Sequence, residues 1–69
     1  MKLSARNVIP GKVVRITQGA VNVDVVLEVA PGVQLVSIIT KQACESLQLK
    51  EGMQAYAAIK ATNVMIASE

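Results

Sequence analysis

A chain of 69 residues with a formal net charge of +2 has room for one small domain, and a domain near this size buries only about 60% of the surface its unfolded chain exposes. Its single cysteine, Cys44, excludes an intrachain disulfide, and the lack of histidine removes the usual zinc ligands. Apolar residues make up 52% of the chain while Tyr56 is its only aromatic, so the core must be Val, Ile, Leu and Ala, and oligomerisation is the support left for a domain this small.

The opening Met1-Lys2-Leu3 leads into polar residues rather than the apolar stretch of a secretory signal. No apolar run approaches the roughly 20 residues of a membrane span. One unpaired thiol fits a reducing compartment, so a cytoplasmic location is expected. The seven Lys and Arg residues are scattered along the chain, which predicts no bulk attraction to nucleic acid or to a membrane.

In chain order, Ser4-Ala5-Arg6-Asn7 comes first, a cluster of donor-bearing groups before an apolar run. A first strand is expected from about Asn7 to Gln18, with Pro10 at an edge or bulge because it cannot donate to a ladder. From Val21 to Val29 the odd positions are apolar while Asn22, Asp24 and Glu28 point the other way, the period of a half-buried strand. Val26 interrupts the polar face, which predicts a contact there too. Ala30-Pro31-Gly32-Val33 supplies a turn of type II character, and Gln34 to Ile39 forms the returning strand. Thr40 is placed to cap one short helix, Lys41 to about Gln48, with Ala43, Cys44 and Leu47 inward. Lys50-Glu51-Gly52 closes it. Met53 to Lys60 and Asn63 to Ala67 read as fourth and fifth strands, joined by Ala61-Thr62.

Three strands, a helix and two strands in about 70 residues is the layout of an all-β, five-stranded OB-type small barrel with one short helix between strands 3 and 4. The competing architecture is an SH3-like barrel. Residues 1–69 form one domain, without repeat or linker.

Catalysis is poorly supplied, since the only thiol faces the expected core and Asp24, Glu28, Glu45, Glu51 and Glu69 show no acid–base pairing. No catalytic residues or metal-cation ligands are expected. Single-strand nucleic-acid binding by a small barrel relies on aromatic platforms worth about 1–3 kcal/mol per base, and one tyrosine cannot supply them. What remains is a set of donors: Ser4 and Arg6, Thr40 with the first helical N–H groups at Lys41 and Gln42, and Lys60 followed by small Ala61. A tetrahedral dianion wants this mixture of backbone N–H, hydroxyl and cation. Each residue also has an ordinary role, as surface charge, helix cap or chain terminus.

Ser4-Ala5-Arg6-Asn7 followed by Gly11-Lys12-Val13, then Val25 to Val29, Ser37-Ile38-Ile39-Thr40, Lys50-Glu51-Gly52 and Lys60 to Met65, in this order and spacing, closely resemble the molbindins, free-standing Mop-domain proteins. The resemblance covers essentially the whole chain. It implies an OB-type fold assembled as a homohexamer, a trimer of dimers, that stores or buffers molybdate and also takes tungstate, with no organic cofactor. It implies a principal site between subunits, with Ser4, Ala5 and Arg6 from one chain and Thr40, Lys60 and Ala61 from a neighbour. A second class of site would involve Gly19, Ala20 and Ser37. Family members often carry Ser where this chain has Ala43, so one hydroxyl contact is expected to be missing. The alternative function is an oxyanion-sensing module acting on a partner protein, since related domains occur fused to DNA-binding or transporter ATPase regions.

Overall fold

A computed structural model describes residues 4–69. Among them the elements are β1 (Asn7–Gln18), β2 (Asn22–Ala30), β3 (Val33–Thr40), α1 (Lys41–Ser46) and β4 (Gln54–Ile59), followed by a 3-10 turn at Ala61–Asn63. The strands form one antiparallel sheet in the order β3-β2-β1-β4.

β1 is long because it serves two partners. Its first half, Asn7 to Lys12, pairs with β4 from Ile59 back to Gln54, and Lys12 to Gln18 pair with β2 from Glu28 back to Val23. Pro10 falls in the half that has only β4 beside it, where a missing N–H disturbs one ladder at most. Between Val13 and Arg15 the register slips, a bulge that bends the strand and increases its twist. At this bend the Val13 N–H donates to the Met53 carbonyl (2.9 Å), and the Val13 carbonyl accepts from the Gly52 N–H (2.7 Å). The Ile16 N–H donates to Glu51 Oε2 at 3.0 Å. The segment before β4 thus stitches itself onto the bulge, and the sheet curls around it.

The core lies inside that curl. Val13 and Val23 are fully buried, and Val25, Leu27 and Cys44 join them. The odd positions of β2 face inward as their alternation requires, and Val26, on the opposite face, is buried as well. Gly32 turns the β2–β3 hairpin at φ +75°, the conformation a type II turn asks of glycine.

Thr40 caps α1: its hydroxyl oxygen accepts from the Ala43 N–H at 3.0 Å. The helix ends at Ser46, earlier than expected, because the Gln48 N–H turns back three residues to the Glu45 carbonyl and Gln48 adopts a left-handed φ of 54°, and Leu47, expected inward, is left 61% exposed. Lys50-Glu51-Gly52 makes a separate turn into β4, with Gly52 at φ +96°.

The expected fifth strand, Asn63 to Ala67, does not form. The Asn63 N–H bonds back to the Lys60 carbonyl at 2.8 Å, and this 3-10 turn carries the chain off the edge of β4 instead of reversing it alongside. Strand-like apolar residues without a neighbouring strand stay unpaired, and Met65 and Ile66 are 94% and 89% exposed. The fold is therefore an all-β, OB-like curled sheet with one short helix between β3 and β4, built on four strands among the described residues. β3 and β4 leave between them an apolar cleft of ≈ 510 Å³, lined by Leu35, Ile39, Leu49, Met53, Ala55 and Ile59 among others.

Val13 joins the core to the bend, since its side chain is fully buried and both its backbone groups hold the β4 approach. Val13→Ala should lower stability by about 1.5–3 kcal/mol, the loss of two buried methyl groups plus the cavity they leave. Chemical denaturation reads this as a lower midpoint with an unchanged slope. A midpoint like that of the unmodified chain would mean that Val13 is not a keystone.

Candidate functional site

The donor-rich residues gather at two separate places, and register decides which belong together. Asn7 pairs with Ile59 in the first rung of the β1–β4 ladder. The residues one step outside that rung are Arg6 and Lys60. Ser4, Ala5 and Arg6 lead into this end of the sheet, and Lys60 and Ala61 leave it. Ser4, Arg6, Lys60 and Ala61 are exposed, while Ala5 is half-buried. Lys60 has extended backbone angles and precedes the 3-10 turn without capping it through its side chain. The first N–H groups of such a turn have no acceptor inside it, so Ala61 and Thr62 present backbone donors next to two cationic side chains.

Thr40 lies at the other end. It pairs with Asn22, beside the β1–β2 turn, where the Gly19 N–H donates to the Asn22 carbonyl at 2.8 Å. That turn is tight enough that a Cβ on Gly19 would stand 2.7 Å from the Asn22 oxygen. Because the Thr40 hydroxyl accepts from Ala43, its own proton remains free to be donated outward. The Ala43 N–H is occupied by the same bond. The Lys41 N–H is not free as expected, since it donates to the Val21 carbonyl at 3.2 Å where the chain leaves the sheet.

Along the ladders the two places fall beyond opposite ends of β1, one outside the Asn7–Ile59 rung and the other beside the Gln18–Val23 rung, with the bend of the strand between them. By register, Lys60 and Ala61 stand at the end of the sheet where Ser4, Ala5 and Arg6 lead in, and Thr40 stands at the end of the β2–β3 ladder, a different grouping from the expected one. Sequence spacing missed this because Asn7 and Ile59 are 52 positions apart, and no local signal carries their register. Of the second group, Gly19 and Ala20 lie at the Thr40 end, whereas Ser37 sits further back along β3, opposite Val25, and lines the apolar cleft.

Cys44 is buried against the core, so its thiol is a packing group. Among the described residues no group of His, Cys, Asp and Glu gathers to hold a metal cation. No described helix is long and apolar enough to cross a membrane.

Comparison with known proteins gives this geometry a family. Residues 3–66 match the TOBE domain. Molybdenum-pterin-binding protein 3 of Clostridium pasteurianum is 48% identical over 66 residues, which cover 96% of this chain and 97% of that protein. The structure of MopII from Clostridium pasteurianum superposes with a TM-score of 0.89 at 45% identity, over 97% of this chain and all of that one. The cytoplasmic molybdate-binding protein ModG, in a crystal form with molybdate bound, matches with a TM-score of 0.88 at 46% identity, over 94% of this chain and 46% of that one. With nearly half its residues shared along almost its full length, the chain belongs to the TOBE domain family and, within it, to the molybdenum-pterin-binding (Mop) proteins.

Proposed function

We propose that the chain binds molybdate, and tungstate of nearly the same size and charge, at sites shared between copies of itself, and that it stores and buffers the oxyanion in the cytoplasm. The observation that carries this reading is the register that puts Arg6, Lys60 and the first N–H groups of the 3-10 turn at one end of the sheet. It occurs in a chain that shares nearly half its residues with Mop proteins.

Molybdate is a tetrahedral dianion whose four oxygens only accept hydrogen bonds. Arg6 offers a planar fork of donors and Lys60 a compact point charge, and charge-assisted bonds of this kind are about twice as strong as neutral ones. Ser4 supplies a hydroxyl, and Ala5 and Ala61 are small enough to let backbone N–H groups approach closely. Thr40 adds a second hydroxyl, but from the far end of the sheet. The principal site is therefore completed by the Thr40 end of a neighbouring chain. The second class of site is read at Gly19 and Ala20, on that same Thr40 end, with Ser37 set further back along β3. We read the function as binding of the oxyanion without an organic cofactor, in keeping with relatives named as binding proteins.

Surface area supports assembly. A compact monomer of 7.3 kDa should expose about 4,200 Å², and this chain exposes 5598 Å². Its radius of gyration is 12.7 Å, against about 11 Å for a compact domain of this length. The surplus exceeds the roughly 800 Å² that one partner contributes to a standard interface. Val36 and Ile38 on β3 and Met65 and Ile66 in the tail are all more than half exposed, and the β3–β4 cleft is apolar. An exposed strand-like segment and an open apolar cleft in one chain fit each other across two copies. We infer a homohexamer, a trimer of dimers, of this single domain (1–69).

Arg6→Ala should weaken molybdate binding by roughly 1.5–3 kcal/mol, the range for a hydrogen bond to a charged group, and leave the fold intact because Arg6 is exposed. Calorimetric titration of the folded variant tests this, and an unchanged affinity removes Arg6 from the site. Ala43→Ser tests the Thr40 end. With the Ala43 N–H already engaged by Thr40, a new hydroxyl has no protein donor to displace and should tighten binding by about 0.5–1.5 kcal/mol. A weaker or equal affinity would mean that position 43 does not face the oxyanion.

A further inference from the structure

Asn7 occupies a position that strand alternation reserves for the core. Along the first half of β1, Ile9, Gly11 and Val13 turn inward, while Val8, Pro10 and Lys12 are exposed. Asn7 shares the inward parity and is half-buried. An amide at such a place loses hydration and contributes little apolar burial, so a β-branched side chain would serve the fold better. The amide has one visible partner: its Nδ2 donates to the Ile59 carbonyl at 3.3 Å, across the first rung of the β1–β4 ladder.

That carbonyl belongs to the peptide unit whose N–H is that of Lys60. Holding the oxygen fixes the plane of the unit and the direction in which the chain enters the 3-10 turn. No side chain caps that turn from Lys60, and the segment beyond it, Met65 and Ile66, is largely exposed. The Asn7 amide is thus the one side-chain hydrogen bond, among the described residues, that ties the Lys60–Ala61 end of the chain to β1. On the opposite strand it stands next to Arg6. We propose that Asn7 is a positioning residue for the oxyanion site: it touches no oxyanion itself, and it orients the Lys60–Ala61 backbone donors towards the space that Arg6 faces. This rests on the molybdate-binding reading above.

Two variants separate positioning from simple stability. Asn7→Leu keeps the size without adding charge and removes the donor, and Asn7→Val suits an inward strand position. Both should weaken molybdate binding by about three- to tenfold, the equivalent of one ordinary hydrogen bond. The ligand-free melting temperature of Asn7→Val should stay the same or rise. Amide hydrogen exchange, measured on the ligand-free assembly, should accelerate at Lys60, Ala61 and Thr62 and remain unchanged in β2. The idea is overturned if Asn7→Val binds molybdate as tightly as the unmodified protein. It is equally overturned if exchange accelerates throughout β1 and β4 with a fall in melting temperature, since that is the signature of a structural role. Failure of the unmodified protein to bind molybdate would defeat the functional reading instead, and local exchange at Lys60–Thr62 would still decide whether Asn7 is the strut.

Discussion

The bend in β1 is the constraint on which the rest of the molecule depends. One strand must pair with β4 through its first half and with β2 through its second, and a flat 12-residue strand would hold both partners in one open sheet. The bulge after Val13, held by Gly52, Met53 and the Glu51 carboxylate, turns the two halves against each other. From that turn follow the buried cluster around Val13 and Val23, the cleft between β3 and β4, and the separation of the donor groups. Arg6 and Lys60 flank the first rung of the β1–β4 ladder, and Thr40 pairs with Asn22 just past the last rung of the β1–β2 ladder.

That separation gives the chain's size a functional meaning. A 69-residue chain buries few side chains, here chiefly valines, with a single cysteine and, among the described residues, no cluster of metal-ligating groups to reinforce them. In the proposed assembly another copy covers the apolar surface left on β3, in the cleft and on the tail. The same event that hides this surface can bring the Thr40 end of one chain to the Arg6–Lys60 end of another. Stability and ligand binding then share one interface. An oxyanion bound there stabilises the assembled form alone, by an amount that grows with its concentration over the dissociation constant.

Local physics made much of this legible in the sequence. The alternation expected over Val21 to Val29, the Pro31-Gly32 turn and the Thr40 cap each rest on residues within a few positions of one another, and each appears in the structure almost where expected, save that Val21 lies outside β2 and is 71% exposed. The misses share the opposite property. Asn63 to Ala67 has the composition of a strand, but a strand is defined by its neighbour, and the turn at Ala61–Asn63 sends the segment away from β4. Lys41 has the place of a free helical N–H until Val21, twenty residues earlier, supplies an acceptor. The donor residues themselves were recognisable by type. Their placement along the sheet was not, because it depends on the pairing of Asn7 with Ile59. Asn7 did carry a readable signal, a polar side chain at an inward position of an otherwise apolar alternation.

The central claim is that no single chain contains both ends of a principal site. Subunit mixing tests it most directly. Arg6→Ala and Thr40→Ala chains are dissociated, combined, reassembled and titrated with molybdate. Each variant alone damages every site, but in mixed assemblies the intact Arg6–Lys60 end of one chain meets the intact Thr40 end of the other, so a fraction of sites with unmodified affinity should return. Combining Arg6→Ala with Lys60→Ala should return none, because both changes fall on the same end. Mixed assemblies that form from Arg6→Ala and Thr40→Ala chains yet regain no tight binding would contradict the account and place each site within one chain.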